Sequence, residues 1–138
     1  MSYAGICGSQ NVQNRSDTYF HQHSLSLMWN NISTGRSNCA ELSPISNNPP
    51  TADAGPDYTI PISTAYKLVG NSTDPDGTST HTYSWEQFDL GPAGVPTETT
   101  EKGPLVRSFP STTDPIRYIP NFSEYVAAGG STEWEKLV

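Results

Sequence analysis

The sequence has little charge and few apolar residues. Only 15% of its 138 residues are charged and 33% are hydrophobic, whereas soluble domains usually carry about 25% charged residues. No apolar run approaches the roughly 18 residues that a membrane-spanning helix needs. Lysine and arginine number seven against 14 acidic residues. This balance argues against binding to nucleic-acid phosphates or to anionic membranes.

Small polar and turn-forming residues are abundant instead. Ser, Thr, Asn, Gly and Pro make up 64 of the 138 residues, a composition typical of turns and strand edges. Fourteen aromatic residues can still anchor a small core, which argues against full disorder. These proportions favour a mainly β fold over a helix bundle, a coiled coil or a doubly wound α/β domain.

Charge and proline content divide the chain near residue 48. Residues 1–47 have no net charge, whereas residues 48–138 carry 12 acidic and five basic residues, and therefore the whole net charge of −7. The segment 43–50 has three prolines and few side chains to bury, which predicts an extended linker. We therefore expect an N-terminal region over 1–42 and a β-rich domain over 51–138.

Both cysteines, Cys7 and Cys39, precede the predicted linker. Two cysteines are too few for a zinc site, which normally has four Cys or His ligands. A disulfide would close a loop of 33 residues, contribute about 3.7 kcal/mol in the chain-entropy model, and suit an oxidising, extracytoplasmic compartment. Two buried free thiols are the alternative.

One helix is predicted between the cysteines, over about residues 17–32. Ser16 or Asp17 can cap its start and Gly35 can end it. Its apolar residues follow the i, i+3, i+4, i+7 spacing of one helix face: Leu25, Met28, Trp29 and Ile32. Such a stripe needs a partner to cover it, and residues 1–47 offer little. The N-terminal region is therefore expected to be part of a larger unit.

The region after residue 50 is predicted to form short strands. The strongest of these predicted strands is His81–Phe88, and Trp85 within it is the expected core anchor of the domain. Several short strands at this spacing indicate an antiparallel, immunoglobulin-like β-sandwich. The five β-rich runs are separated by Pro, Gly, Asp or Ser/Thr clusters: Tyr58–Pro61, Tyr66–Val69, His81–Phe88, Leu105–Phe109 and Ile116–Ile119.

A turn with its own chemistry, Asp74–Gly77, lies before the Trp85 run. Its proline fixes φ and its glycine accepts a positive φ. The carboxylates of Asp74 and Asp76 could hold calcium, which prefers six to eight oxygen ligands. Further ligands would come from other carboxylates if the fold brings them close: Asp53, Asp57 or Asp89. A plain turn is the alternative.

Four separated blocks resemble the PKD (polycystic kidney disease) family of immunoglobulin-like domains: Thr51–Asp57, Leu68–Gly70, Ser72–Gly77 and Tyr83–Gln87. The resemblance covers about residues 50–120. It implies a non-catalytic spacer or binding domain, of a kind common in secreted bacterial hydrolases. The family's closing aromatic-x-Leu-x-Val-x-Asp pattern does not follow, so the PKD-type sandwich is expected to be truncated, without its last strands.

The opening block Met1–Gly8, Met-Ser-Tyr-Ala-Gly-Ile-Cys-Gly, resembles the Met-turn of secreted bacterial reprolysin-like peptidases, which are metzincins. In those enzymes a Tyr-Phe-His stretch and a helix follow, and often a PKD-like domain. The resemblance implies that Met1 lies beneath the zinc-ligating histidines. It also implies that Tyr3 contacts zinc or the transition-state oxyanion, with a core or pocket-wall aromatic as the alternative. Residues 1–42 would then be a fragment of the metallopeptidase's C-terminal subdomain.

The zinc-binding motif of metzincins, His-Glu-x-x-His-x-x-Gly-x-x-His, is not in this sequence. In that motif three histidines bind zinc and the glutamate activates the zinc-bound water. The three histidines here are His21, His23 and His81. His21 and His23 are two residues apart and would point in different directions from a helix, so they could not chelate one ion together.

Two functions are therefore expected from the sequence. The first is a fragment of a secreted zinc metalloendopeptidase, truncated at both ends, inactive alone and missing its N-terminal catalytic half. The parent enzyme would use zinc to cleave protein or peptide substrates. The alternative is a non-enzymatic extracellular adhesion or binding module of PKD type. Either function places the protein outside the cytoplasm, secreted or at the cell surface.

Overall fold

The regular structure consists of short strands and two α-helices. The computed structural model describes residues 4–37, 39–92, 94–130 and 132–137. In chain order its elements are a 3₁₀ turn at Gly8–Gln10, then α1 Gln22–Ser33, β1 Thr51–Asp53, β2 Tyr66–Val69, β3 Asn71–Thr73, β4 Ile116–Ile119 and α2 Phe122–Ala127. In this described part, neither helix has the length and apolarity to cross a bilayer.

The chain divides into two units, Met1–Asn48 and Pro49–Val138. The division falls inside the segment 43–50 that its prolines predict to be a linker. The first unit contains α1, and the second contains all four strands and α2. The second unit therefore holds the β structure that the sequence predicts after residue 50.

Helix α1 begins later than its sequence signals predict. His21 is the N-cap residue, and its ring Nδ1 accepts a hydrogen bond from the His23 N–H at 3.2 Å. The predicted caps at Ser16 and Asp17 are wrong, because the first helical residue is Gln22. At the other end, the Thr34 hydroxyl donates to the Asn30 carbonyl at 2.9 Å.

Strands β2 and β4 form an antiparallel ribbon, and both lie at their predicted bounds. Tyr66 pairs with Ile119, and Val69 pairs with Ile116. Alternation of side chains along the strands places one row toward the interior. Ile119 in that row is 5% exposed, the buried hydrophobic residue of the described chain. The rest of the row is half-buried: Tyr66, Leu68 and Arg117.

Strands β1 and β3 form a second two-stranded antiparallel sheet, which the sequence did not predict. Thr51 pairs with Thr73, and the hydroxyl groups of these two threonines are hydrogen-bonded. Both strands have three residues and are mostly exposed. The described fold is therefore four antiparallel strands in two small sheets. A complete immunoglobulin-like sandwich is a finer arrangement and stays a prediction.

Three predicted strands are wrong: Tyr58–Pro61, His81–Phe88 and Leu105–Phe109. His81–Phe88 makes a single bridge, in which Tyr83 and Thr112 exchange both backbone hydrogen bonds. The next hydrogen-bonded pair of this antiparallel register would be Trp85 with Pro110. Pro110 has no N–H to donate, so the pairing does not continue. The Leu105 and Val106 N–H groups donate instead to the Gln87 side-chain oxygen.

Candidate functional site

The Asp74–Gly77 turn has the geometry that its sequence predicts. The Gly77 N–H donates to the Asp74 carbonyl at 3.1 Å, and Gly77 has a φ of +106°. The Asp76 N–H donates to Asp74 Oδ1 at 2.8 Å. One oxygen of the Asp74 carboxylate is therefore engaged inside the turn.

The turn belongs to a hydrogen-bonded network of four side chains. Asp74 Oδ2 lies 3.4 Å from His81 Nε2, and His81 Nδ1 lies 2.7 Å from the Ser72 hydroxyl. The Ser72 hydroxyl also lies 2.7 Å from the Tyr83 hydroxyl. The network connects β3, which contains Ser72, to the segment that contains His81 and Tyr83. Serine, histidine and aspartate are the residue types of nucleophilic catalysis. Here these side chains hydrogen-bond β3, the Asp74–Gly77 turn and the segment that follows the turn to one another.

Three of the carboxylates predicted for calcium, those of Asp53, Asp74 and Asp89, accept hydrogen bonds from the protein itself. Within the described ranges, no three His, Cys, Asp or Glu side chains form a group that could hold a metal ion. Asp53 accepts from the Gly55 N–H at 2.9 Å, and Asp89 accepts from the Gln87 amide at 2.9 Å. Calcium at Asp74 would compete with the turn and with His81. Binding of calcium by Asp74 and Asp76 stays a prediction.

Trp85 connects the segment His81–Phe88 to the β2–β4 ribbon. Its indole N–H donates to the Pro115 carbonyl at 2.9 Å. A Cβ atom built on Gly70 would lie 3.0 Å from Trp85 Cζ2, so the indole ring lies close against the backbone that follows β2. Trp85 is half-buried and lines two cavities, one with residues of β4 and one with residues of β2.

A buried ion pair holds the C-terminal segment against β4. Glu135 is 1% exposed, forms a salt bridge with Arg117 and accepts the Asn121 N–H. Burial raises the pKa of the Glu135 carboxyl above its ordinary value of 4.5, against the lowering effects of the Asn121 hydrogen bond and the Arg117 charge. Burial also lowers the pKa of the Arg117 guanidinium. Both shifts reflect the cost of holding charge away from water.

The arginine of this ion pair also contacts an aromatic ring. The Arg117 Cζ lies 4.4 Å from the centre of the Phe109 ring, and the Arg107 Cζ lies 4.6 Å from it. These distances are those of cation–π contacts. Burial, followed by the charge of Glu135, raises the pKa of Tyr66. The interior of the second unit is thus a mixed polar and aromatic cluster.

A cavity of about 590 Å³ lies beside β4. We call it the β4 groove. The aromatic residues Trp85, Phe109, Tyr118 and Phe122 line it, together with the carboxylate-bearing Asp114. Tyr118 is 48% exposed and Phe122 is 65% exposed, and their ring centres are 6.0 Å apart. The groove therefore offers aromatic walls, one acidic group, and one basic group, Arg117, whose charge is paired with that of Glu135.

A second cavity, of about 680 Å³, lies beside β2. Three consecutive residues of β2, Tyr66, Lys67 and Leu68, line it. Prolines and apolar residues of the preceding loop form much of the rest, among them Pro56, Pro61 and Ile62. The two cavities therefore lie along the two strands of the ribbon.

The residues predicted for the peptidase end of the chain all belong to the first unit, Met1–Asn48. Met1 and Tyr3 are outside the described residues. Cys7 and Cys39 are both exposed and both free thiols in the structure, so the disulfide stays a prediction. The alternative of two buried thiols does not match their exposure. His21 caps α1 through its ring, a structural role that agrees with its position before the helix.

The Arg117–Glu135 pair was missed by sequence reasoning, although one signal for it exists. In the strand Ile116–Ile119, alternation puts Arg117 on the same face as Ile119. A charged residue on an inward face needs a partner of opposite charge. Glu135 was not identifiable as that partner, since it lies 18 residues away in a segment without regular structure.

Comparisons with protein-family models, with curated proteins and with solved structures found no match for this chain.

Proposed function

We propose that this chain is the C-terminal end of the catalytic domain of a secreted zinc metalloendopeptidase, followed by most of a PKD-like module. The order of the resemblances supports the proposal: a Met-turn-like block, a helix, a proline-containing linker and four PKD-like blocks. The chain divides between Asn48 and Pro49, where such a domain junction would lie.

The observation that carries the proposal is the uncovered apolar stripe of α1. No residue of this helix is buried. The stripe residues are 40–67% exposed: Leu25, Met28, Trp29 and Ile32. Covering a large apolar side chain is worth roughly 1.5–3 kcal/mol, so a helix of this kind favours a partner. In the proposal that partner is the N-terminal half of the catalytic domain.

Zinc would be bound by that N-terminal half. The described residues offer no group of three metal-ligating side chains, and His21 uses its ring nitrogen to cap α1. The three histidines and the activating glutamate of the metzincin motif therefore belong, in the proposal, to sequence outside these 138 residues. The substrates of the parent enzyme are proteins or peptides, cleaved outside the cytoplasm.

The genomic DNA upstream of Met1 tests this assignment directly. An open frame that is continuous with Met1 and encodes His-Glu-x-x-His-x-x-Gly-x-x-His is the expected result. A promoter and a ribosome-binding site directly before Met1 would contradict it and favour a separate extracellular binding module.

The purified chain provides a second test. We expect it to leave a generic protein substrate such as casein uncleaved, with or without added zinc, because it lacks the activating glutamate and the three ligands. Zinc-dependent cleavage that a chelator abolishes would contradict this expectation. A metzincin that retains its complete motif serves as the positive control in the same assay.

A further inference from the structure

The register of the β2–β4 ribbon determines which backbone groups of β4 point away from β2. The Gly70 N–H donates to the Pro115 carbonyl at 3.1 Å, which makes these two residues a hydrogen-bonded pair. Such pairs alternate with non-hydrogen-bonded pairs along an antiparallel ladder. Val69 and Ile116, and then Lys67 and Tyr118, are therefore non-hydrogen-bonded pairs. The N–H and C=O groups of Ile116 and Tyr118 point to the outer edge of β4.

This outer edge has no partner strand in the described chain. β4 pairs with β2 alone there. The Ile116 N–H donates to Asp114 Oδ1 at 2.9 Å, so a side chain satisfies the first outward donor. The N–H and C=O of Tyr118, two residues further along β4, are the next groups that point outward. An edge of this kind is a template for a further strand.

The β4 groove runs along this edge. Ile116, Arg117 and Tyr118 all line it, although successive side chains of a strand point to opposite faces. None of the residues of β2 is among those that line the groove, so the groove lies on the side of β4 that faces away from β2. Trp85 and Phe109 also line the groove, and Tyr118 and Phe122 add exposed aromatic surface.

We propose that the outer edge of β4 binds an extended segment of another protein as an added strand, and that this segment alternates basic and apolar residues. The Tyr118 N–H and C=O and the Ile116 C=O would pair with its backbone. Its apolar side chains would contact the aromatic walls of the groove. Its basic side chains would suit Asp114 and the acidic unit around it, which carries the whole net charge of −7.

This binding surface does not depend on the peptidase assignment. All the residues that form it lie within the unit Pro49–Val138. A PKD-like module with or without an attached peptidase would present the same edge. Failure of the binding test therefore leaves the proposed function standing, and the reverse also holds.

The probe is a fluorescein-labelled peptide, Lys-Val-Lys-Phe-Lys-Val-Lys, titrated with the full chain and followed by fluorescence anisotropy. Two peptides of the same length serve as controls. One replaces every lysine with glutamate, and the other carries a methyl group on every backbone amide and so cannot donate to the strand. We expect saturable binding of the basic peptide and at least tenfold weaker binding of both controls.

Proline variants locate the site on the protein. Tyr118→Pro removes the outward N–H of β4, and Lys67→Pro removes the outward N–H of β2, on the opposite edge of the same ribbon. Tyr118→Ala removes the ring but keeps the N–H. We expect Tyr118→Pro to weaken binding about tenfold beyond Tyr118→Ala, which corresponds to about 1.4 kcal/mol, and Lys67→Pro to bind as the parent chain does.

Several outcomes would overturn the proposal. Equal binding of the basic and the methylated peptides would exclude strand addition, and this comparison uses the unmodified protein, so it does not depend on whether a variant folds. Equal loss in Tyr118→Pro and Lys67→Pro would exclude the β4 edge. A dimer of the full chain in sedimentation that Tyr118→Pro abolishes would assign the edge to a second copy instead.

Discussion

At the scale of single residues, the charged pair Arg117 and Glu135 dominates the interior of the second unit. Glu135 is 1% exposed, and a buried carboxylate is held only by the groups that satisfy it. Arg117 and the Asn121 N–H are those groups. The pair links β4, the start of α2 and the C-terminal segment, so its protonation state affects three parts of the unit.

The raised pKa of Glu135 predicts a specific dependence of stability on pH. A carboxyl whose pKa is higher in the folded than in the unfolded state binds its proton more tightly when folded. Its contribution is therefore fully present below the unfolded value of 4.5 and is lost as the pH rises through the raised folded pKa. We expect this group to lower the free energy of unfolding by up to about 1.4 kcal/mol per pH unit in that window.

Glu135→Gln tests this expectation, because glutamine cannot ionise. Urea unfolding at several pH values from 4 upward should show a flatter pH dependence for this variant than for the parent chain. Glu133→Gln is the matched control, since Glu133 is exposed and lies two residues away. An unchanged pH slope in Glu135→Gln, equal to that of the control, would contradict the assignment.

At the scale of elements, α1 and β4 show opposite relations between sequence and burial. Both carry apolar residues at the spacing typical of their type. Ile32 of α1 is 53% exposed, whereas Ile119 of β4 is 5% exposed. The same side chain therefore contributes differently to stability in the two elements, because only one of them is covered.

Replacing each isoleucine with alanine measures this difference. We expect Ile119→Ala to destabilise the chain by about 2–5 kcal/mol, since it removes buried methyl groups and leaves a cavity. Ile32→Ala should change the free energy of unfolding by less than about 0.5 kcal/mol. Chemical denaturation followed by far-UV circular dichroism gives both values. A large loss in Ile32→Ala would show that the stripe of α1 is covered within this chain.

The elements also show what local sequence can and cannot predict. β2 and β4 were predictable because each is a short β-rich run with apolar residues facing inward. His81–Phe88 looked stronger, yet it forms one bridge, because its partner segment contains Pro110. β1 and β3 are polar and exposed, so no hydrophobic pattern marks them. Whether such a segment forms a strand depends on a pairing partner that lies tens of residues away in the sequence.

At the scale of the whole molecule, the chain exposes much of its apolar surface. Twenty large hydrophobic side chains in the described part are exposed, against Ile119 as the buried one. Hydrophobic burial is the main favourable contribution to folding, and a small domain has little of it to spare. The sequence predicts this thin core from its 33% hydrophobic content.

Marginal stability is the expected result. The monomeric chain should melt over a broad range at modest temperature, and it should bind a hydrophobic dye such as ANS before the melt. Differential scanning calorimetry and dye fluorescence on the same sample measure the two effects. A sharp, cooperative transition at high temperature, with no dye binding below it, would contradict this expectation.

The organisation of the chain was more accessible to sequence reasoning than its site. The boundary between the two units, after Asn48, falls inside the segment 43–50 that proline content and charge predict to be a linker, while the assignment of the two domains stays a prediction. The residues of the β4 groove, by contrast, come from segments up to about forty positions apart, Tyr83 to Ser123. Composition and spacing describe neighbours along the chain, and only folding brings Trp85, Phe109 and Tyr118 to one groove.

The exposure of Trp29 has a spectroscopic consequence. It is the one tryptophan of the first unit and is 67% exposed, so its emission in the native chain is already close to that of a hydrated indole. Trp85 and Trp134 are half-buried in the second unit. A shift of the emission maximum during unfolding therefore reports on the second unit, whereas Trp29 contributes a nearly constant background.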